Sequence, residues 1–213
     1  MTAQRAYAAA FAILTWFALA AQVYLLLRNA PATPAGVAHA VGTFLSYFTL
    51  VTNLLAAAAM TLWARGGGTS GLLSRYQGAA ALAVYLCVVG LVYLIHLRQL
   101  WQPTGLQQIA DVLMHYVTPP ACAVYWVVFV PKGRLRWSHA FTWLLYPVAY
   151  AAYIGVQGTR TGRYPYPFMD AAALGYFRVL PNLALLLALF LGISVLLIAF
   201  DKVAARRCQT APG

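Results

Sequence analysis

Acidic residues are almost absent from this chain. Its 213 residues include three aspartates and no glutamate, whereas lysine and arginine together number 14. Charged residues of both signs make up only 8% of the chain, against about a quarter in ordinary soluble domains. So few charges cannot cover a water-facing surface, which excludes an ordinary soluble globular protein.

Cysteine and histidine are scarce and scattered, so the common metal-binding patterns are excluded. The three cysteines form no CxxC pair, and the four histidines share no ligand spacing with the aspartates. The sequence also lacks the GxSxG, Walker A and Rossmann fingerprints of many enzymes and nucleotide-binding proteins. We therefore predict no metal site and no cofactor.

Long apolar runs dominate what is present. Hydrophobic residues make up 63% of the chain, and the mean hydropathy is +0.74. Six runs approach the ~20 residues that a helix needs to span a bilayer. They cover roughly residues 7–27, 41–63, 77–97, 112–130, 137–157 and 179–200. The predicted fold is all-α: a single domain, residues 1–213, in which six transmembrane helices form one bundle.

The basic residues lie singly or in short groups between the apolar runs. This pattern is typical of loops at anionic lipid headgroups, and it argues against nucleic acid as a partner. Alternate connections carry nine lysines and arginines on the side of both termini and five on the other side. The excess of arginine over lysine is typical of GC-rich bacterial genomes. We therefore predict a multi-pass protein of the bacterial inner membrane, with both termini cytoplasmic and membrane lipids as partners.

Four polar side chains interrupt the second apolar run: Ser46, Thr49, Thr52 and Asn53. In a continuous helix, Ser46, Thr49 and Asn53 share one face, and Thr49 lies about 12 Å below the outer surface. Two interpretations remain open. The hydroxyl and amide groups either join helices through hydrogen bonds or form the wall of a site.

The fourth run opens with two ionisable residues, Asp111 and His115, spaced one helical turn apart. Ionisable side chains are costly inside a membrane segment and so indicate function. A histidine held by a carboxylate can accept the proton of a hydroxyl such as that of Thr49. In the alternative interpretation Asp111 caps the start of the helix and His115 only packs. Pro119 and Pro120 predict a kink beside the pair.

An aromatic and basic connection, GTRTGRYPYPFMD, precedes the last run. It is either an aromatic belt at the headgroups or a lid over an outer-leaflet cavity. In the second case Tyr166 and Asp170 contact a substrate, and Asn182 adds a buried amide. The predicted topology brings these residues and the polar residues of the second and fourth runs into the outer leaflet.

Three short segments, in this order in a six-span chain, resemble the bacterial branch of the androgen-induced membrane protein family: SYFTLVTNLL, MHYVTPP and YPYPFMD. The eukaryotic branch is described as integral-membrane threonine hydrolases of fatty acid esters of hydroxy fatty acids. The resemblance implies Thr49 as the nucleophile and His115 as its partner, with Thr52 as the competitor for the nucleophile. Asn53 departs from the eukaryotic motif, which has an acidic residue nearby.

The leading functional hypothesis is an intramembrane lipid-ester hydrolase with Thr49, His115 and Asp111 as catalytic residues. Its substrate would be a lipid-like ester or amphiphile. The predicted substrate-binding residues are Ser46, Asn53, Tyr166, Asp170 and Asn182. The alternative is a membrane protein that binds a lipid or amphiphile without catalysis. A transporter comes third, because proton-coupled transport uses chains of buried acidic residues or histidines, and this chain has few. The oligomeric state is not predicted.

Overall fold

The computed structural model of the chain describes residues 2–68 and 74–210. In these ranges the regular secondary structure is helical, so the prediction of an all-α fold is confirmed. The α-helices, numbered α1 to α10 in chain order, cover Ala3–Asn29, Pro34–Ser46, Phe48–Ala64, Gln77–Val92, Gly105–Val112, Thr118–Phe129, His139–Thr142, Leu145–Thr161, Ala171–Leu174 and Tyr176–Thr210.

Two π-helical turns extend or join these helices. Tyr93–Leu97 continues α4, and Leu113–Val117 joins α5 to α6. In each turn a backbone N–H donates to the oxygen five residues earlier, from Arg98 to Tyr93 and from Thr118 to Leu113. A π-helical turn inserts a residue into an α-helix, and such insertions are frequent at functional sites.

Several helices are long and apolar enough to cross a membrane. Four qualify alone, and α2 and α3 qualify as a bent pair, which gives four or five candidate spans among the described residues. The four are Ala3–Asn29, Gln77–Leu97, Gly105–Phe129 and Tyr176–Arg207. The fifth predicted run forms α7 and α8 instead, and α8 has 17 residues. These helices indicate a membrane protein.

The second predicted run is broken into two helices. α2 ends at Ser46, α3 begins at Phe48, and their axes differ by 81°. The Ser46 hydroxyl donates to the backbone oxygen of Thr43 at 2.7 Å, which in a continuing helix would accept the N–H of Tyr47. The assumption of one continuous helical face from Ser46 to Asn53 was therefore wrong, and the depth of Thr49 below the outer surface stays a prediction.

The chain divides into two compact units, Met1–Arg134 and Leu135–Gly213. The first contains α1 to α6, and in it α1 packs mainly against α3, while α4 packs against α6. The second contains α7 to α10, and in it α10 contacts α7, α8 and α9. The candidate catalytic residues all belong to the first unit.

Small side chains allow the helices of the first unit to approach closely. One buried cluster consists of Ala18, Leu19, Ala21, Leu50, Ala57, Ala110 and Met114. Lipid tails are as apolar as leucine, so close van der Waals packing must hold such helices together. Gly90 gives the tightest approach near the site, because a Cβ there would lie 3.2 Å from Pro119 Cβ and 3.3 Å from His115 O. α4 therefore lies directly against the π-helical turn that carries His115.

Candidate functional site

Asp111 and His115 contact each other through their side chains, as their spacing predicts. His115 Nδ1 lies 3.1 Å from Asp111 Oδ1, and both side chains are largely buried. The helix begins at Gly105, with Thr104 at its N-cap position. Asp111 lies six residues after Gly105, in the interior of the helix. The alternative interpretation of Asp111 as a helix cap is therefore wrong.

Tyr93 completes a buried three-residue cluster with this pair. Its hydroxyl donates a hydrogen bond to Asp111 Oδ2. Its ring also stacks on the His115 imidazole, with centroids 3.9 Å apart and planes 14° from parallel. The sequence analysis missed Tyr93, because it lies 18 residues from Asp111 across a connection and shares no helical spacing with it. We call Tyr93, Asp111 and His115 the imidazole cluster.

The imidazole cluster determines which nitrogen of His115 is basic. Nδ1 lies 3.0 Å from the backbone oxygen of Asp111 and 3.1 Å from Oδ1. An ionised carboxylate and a backbone oxygen can only accept hydrogen bonds, so the proton of the neutral imidazole resides on Nδ1. Nε2 then carries the lone pair, which is the arrangement of a general base.

Both π-helical turns carry members of the imidazole cluster. Tyr93 is the first residue of one turn, and His115 is the middle residue of the other. Pro119 follows the second turn and has no N–H to offer to His115 O, its acceptor in an α-helix. The local irregularity of both helices therefore coincides with the polar side chains, as expected for a functional site.

A second group of polar side chains surrounds the start of α3. Thr49 is 7% exposed, and both Thr52 and Asn53 are 0% exposed. Asn53 Nδ2 donates to the backbone oxygen of Thr49 at 2.8 Å. The hydroxyl of Thr118 donates to Asn53 Oδ1 at 2.7 Å. The sequence analysis also missed Thr118, although its position in the MHYVTPP segment was a usable signal.

The Asn53–Thr118 hydrogen bond joins the two helices that carry the candidate catalytic residues. Thr118 follows His115 by three residues, and Asn53 follows Thr49 by four. The structure thus brings together the segments that bear Thr49 and His115. A direct contact between the Thr49 hydroxyl and His115 Nε2 stays a prediction. Ser46 belongs to α2, on the other side of the helix break.

The remaining predicted binding residues lie in the second unit and have local structural contacts. Asp170 caps α9 and accepts hydrogen bonds from the backbone N–H groups of Ala172 and Ala173. Asn182 Nδ2 donates to the backbone oxygen of Phe168 at 3.0 Å, and the Tyr166 ring stacks on the Phe168 ring. That Tyr166, Asp170 and Asn182 share a pocket with Thr49 stays a prediction.

Among residues 2–68 and 74–210, no three or more His, Cys, Asp or Glu side chains are grouped so as to hold a metal ion. The chain matches no family model, no curated protein and no solved structure. The resemblance to the androgen-induced membrane protein family therefore stays a prediction that rests on its three sequence segments.

Proposed function

We propose that the protein is an integral-membrane hydrolase of lipid esters, with Thr49 as the nucleophile and His115 as the general base. The observation that carries the proposal is the imidazole cluster, a buried carboxylate–histidine pair inside an apolar helix. A packing role alone does not account for two ionisable side chains placed there, since burying them is costly.

The proposed reaction has two steps. In the first, His115 Nε2 takes the proton of the Thr49 hydroxyl while Oγ1 attacks the ester carbonyl carbon. The tetrahedral intermediate collapses, and the alcohol leaves with the proton from Nε2. In the second, a water molecule gives a proton to Nε2 and attacks the acyl-threonine. The carboxylic acid departs, and the proton returns to Thr49.

Asp111 and Tyr93 act as positioning residues in this mechanism. Asp111 holds the Nδ1–H of His115 and stabilises the imidazolium that forms in each step. Asn53 is the proposed donor for the developing oxyanion, because its Nδ2 carries two hydrogens and contacts the backbone oxygen of Thr49.

The proposal also covers the number of membrane spans, the orientation of the chain and its family. We propose six spans, with α7 and α8 providing the fifth, in the bacterial inner membrane with both termini cytoplasmic. The positive-inside distribution of lysine and arginine supports this orientation. The three family-like segments support the threonine hydrolase assignment, since two of them contain Thr49 and His115.

Covalent labelling of the purified protein with a fluorophosphonate tests the proposal. We expect wild type to be labelled and to hydrolyse esters, and Thr49→Ala and His115→Ala each to lose both properties. The double variant should be no worse than either single variant, because the two residues act as one unit. Thr52→Ala is the matched control and should keep most of the activity.

A binder without catalysis is the second candidate. The Asn53–Thr118 hydrogen bond is compatible with it, because polar groups that join helices need no catalytic role. It predicts no labelling and no turnover in wild type. Wild-type hydrolysis that survives Thr49→Ala would instead show that Thr49 is a packing residue and that the proposed mechanism is wrong.

A further inference from the structure

Three arginines from separate segments of the first unit meet at one of its ends. Arg75 Nη1 donates to Gln4 Oε1 at 3.3 Å, and Gln4 directly precedes Arg5 at the start of α1. The guanidinium of Arg134 lies 4.2 Å from the ring centroid of Tyr76, the residue after Arg75. We call Arg5, Arg75 and Arg134 the arginine cluster.

Uncharged groups hold the arginine cluster in place. A Cβ at Gly66 would lie 2.3 Å from Arg5 Nη2, so the Arg5 guanidinium lies against the backbone at the end of α3. Gln4, which holds Arg75, is itself fixed by a hydrogen bond from Nε2 to the backbone oxygen of Phe129 at 3.1 Å. A peptide backbone, an amide and an aromatic ring carry no net charge. These contacts therefore position the guanidiniums without neutralising them.

The first unit has one side-chain carboxylate, and it lies far from the arginine cluster. Asp111 is the only acidic residue in the sequence of residues 1–134. It contacts Tyr93, which follows Arg75 by 18 residues, a rise of about 25 Å along α4 and its π-helical turn. The two other aspartates, Asp170 and Asp201, accept hydrogen bonds from backbone N–H groups of the second unit. The counter-anion of the arginine cluster must therefore come from outside the first unit.

The arginine cluster lies where three candidate membrane spans begin or end. Ala3–Asn29 and Gln77–Leu97 begin beside it, and Gly105–Phe129 ends beside it. The ends of membrane spans lie at the depth of the lipid headgroups. Phosphate is the anion at that depth, and the planar fork of a guanidinium binds phosphate through two parallel hydrogen bonds.

We infer that the arginine cluster binds the phosphate of an anionic phospholipid. Basic pockets between transmembrane helices bind such headgroups, and three guanidiniums held by neutral contacts form a pocket of this kind. A zwitterionic headgroup brings its own cation to the pocket and pairs less favourably. The inference is independent of the proposed function, because the site lies about 25 Å along α4 from the imidazole cluster.

Native mass spectrometry of the full-length protein in detergent tests this inference. It measures the affinity for phosphatidylglycerol and for phosphatidylcholine with the same acyl chains. We expect phosphatidylglycerol to bind at least about tenfold more tightly. Inorganic phosphate at the same concentration should not displace it, because the acyl chains also hold the lipid against the apolar spans. Displacement by inorganic phosphate would assign the site to a soluble anion and overturn the inference.

The double variant Arg75→Gln/Arg134→Gln should weaken phosphatidylglycerol binding by about thirtyfold, equivalent to ~2 kcal/mol for two lost charges. The matched control is Arg28→Gln/Arg98→Gln, which removes the same charge from the other ends of α1 and α4. It should leave the affinity within about twofold, since charges at that distance are screened. Circular dichroism checks that both variants keep their helices.

Arg5→Gln is the second variant, and it decides the case if the double variant does not fold. Arg5 is exposed, and the loss of its charge should weaken phosphatidylglycerol binding by about fivefold. An affinity of Arg5→Gln equal to that of wild type would overturn the inference. Equal losses in the two double variants would also overturn it, since the affinity would then follow net charge alone, and so would equal affinities of the wild type for the two lipids.

Discussion

At the scale of single residues, the imidazole cluster provides hydrogen-bond partners for a carboxylate that lies in an apolar helix. Asp111 is 6% exposed, and an unpaired buried carboxylate would be strongly destabilising. Tyr93 donates to one of its oxygens, and His115 Nδ1 lies against the other. Tyr93 and His115 both belong to π-helical turns. These irregular turns therefore position the two side chains that contact the Asp111 carboxylate.

Tyr93→Phe tests this arrangement, because it removes the hydroxyl and keeps the ring that stacks on His115. A hydrogen bond to a charged group contributes about 1.5–3 kcal/mol, so we expect turnover to fall at least about tenfold with little change in KM. The measurement is the steady-state kinetics of ester hydrolysis. Tyr116→Phe is the control, since Tyr116 contacts the Tyr93 ring edge-on and is 41% exposed. Equal rates for Tyr93→Phe and wild type would remove Tyr93 from the mechanism.

At the scale of helices, two irregular features define the site. The break at Tyr47 separates α2 from the polar start of α3. The π-helical turns at Tyr93–Leu97 and Leu113–Val117 bring α4 and the helix containing His115 into contact. Gly90 allows this contact, because any larger side chain would meet Pro119 and the backbone of His115.

Gly90→Val should push α4 away from the π-helical turn and separate Tyr93 from Asp111. We expect a loss of activity at least as large as that of Tyr93→Phe and a lower thermal stability, since overpacking costs about 1–3 kcal/mol. The measurements are ester hydrolysis and thermal unfolding in detergent. Gly155→Val, on α8, should change neither, because nothing lies within 4 Å of a Cβ at Gly155. Full activity in Gly90→Val would show that the close approach does not position the cluster.

At the scale of the molecule, one end of the first unit gathers basic residues. Arg75 Nη1 donates to Gln4 Oε1 at 3.3 Å, and Gln4 Nε2 donates to the backbone oxygen of Phe129 at 3.1 Å. The start of α1, the start of α4 and the end of α6 therefore meet at the same end. Arg134 lies there as well, with its guanidinium 4.2 Å from the Tyr76 ring centroid. Positive charge at one end is what the positive-inside rule expects of the cytoplasmic side.

Cysteine accessibility in intact cells tests this orientation. In a chain whose native cysteines are replaced, Arg65→Cys and Arg134→Cys should react with a membrane-impermeant maleimide only after permeabilisation. Ala32→Cys and Gln102→Cys, which are exposed residues of the opposite connections, should react without it. The reverse pattern would place the basic end outside and move the proposed site to the inner leaflet.

The sequence alone determined the class of the protein and one contact of the site. The shortage of charge and the long apolar runs indicate a helical membrane protein, because a bilayer can solvate such a surface. The Asp111–His115 pair was equally predictable, since two residues one turn apart on a helix must lie side by side. Both results depend on local spacing and composition, which a sequence shows directly.

Only the tertiary structure decided the remaining geometry. Tyr93 contacts Asp111 across 18 residues, and Thr118 contacts Asn53 across 65, so no local periodicity reveals either partner. The break at Tyr47 carries neither glycine nor proline, and the sequence therefore gave no turn signal for it. At the break the Ser46 hydroxyl donates to Thr43 O, which would accept a backbone N–H in a continuing helix. Contacts such as Tyr93–Asp111 and Thr118–Asn53 depend on how distant helices pack against each other. The spacing of residues along the chain does not show that packing.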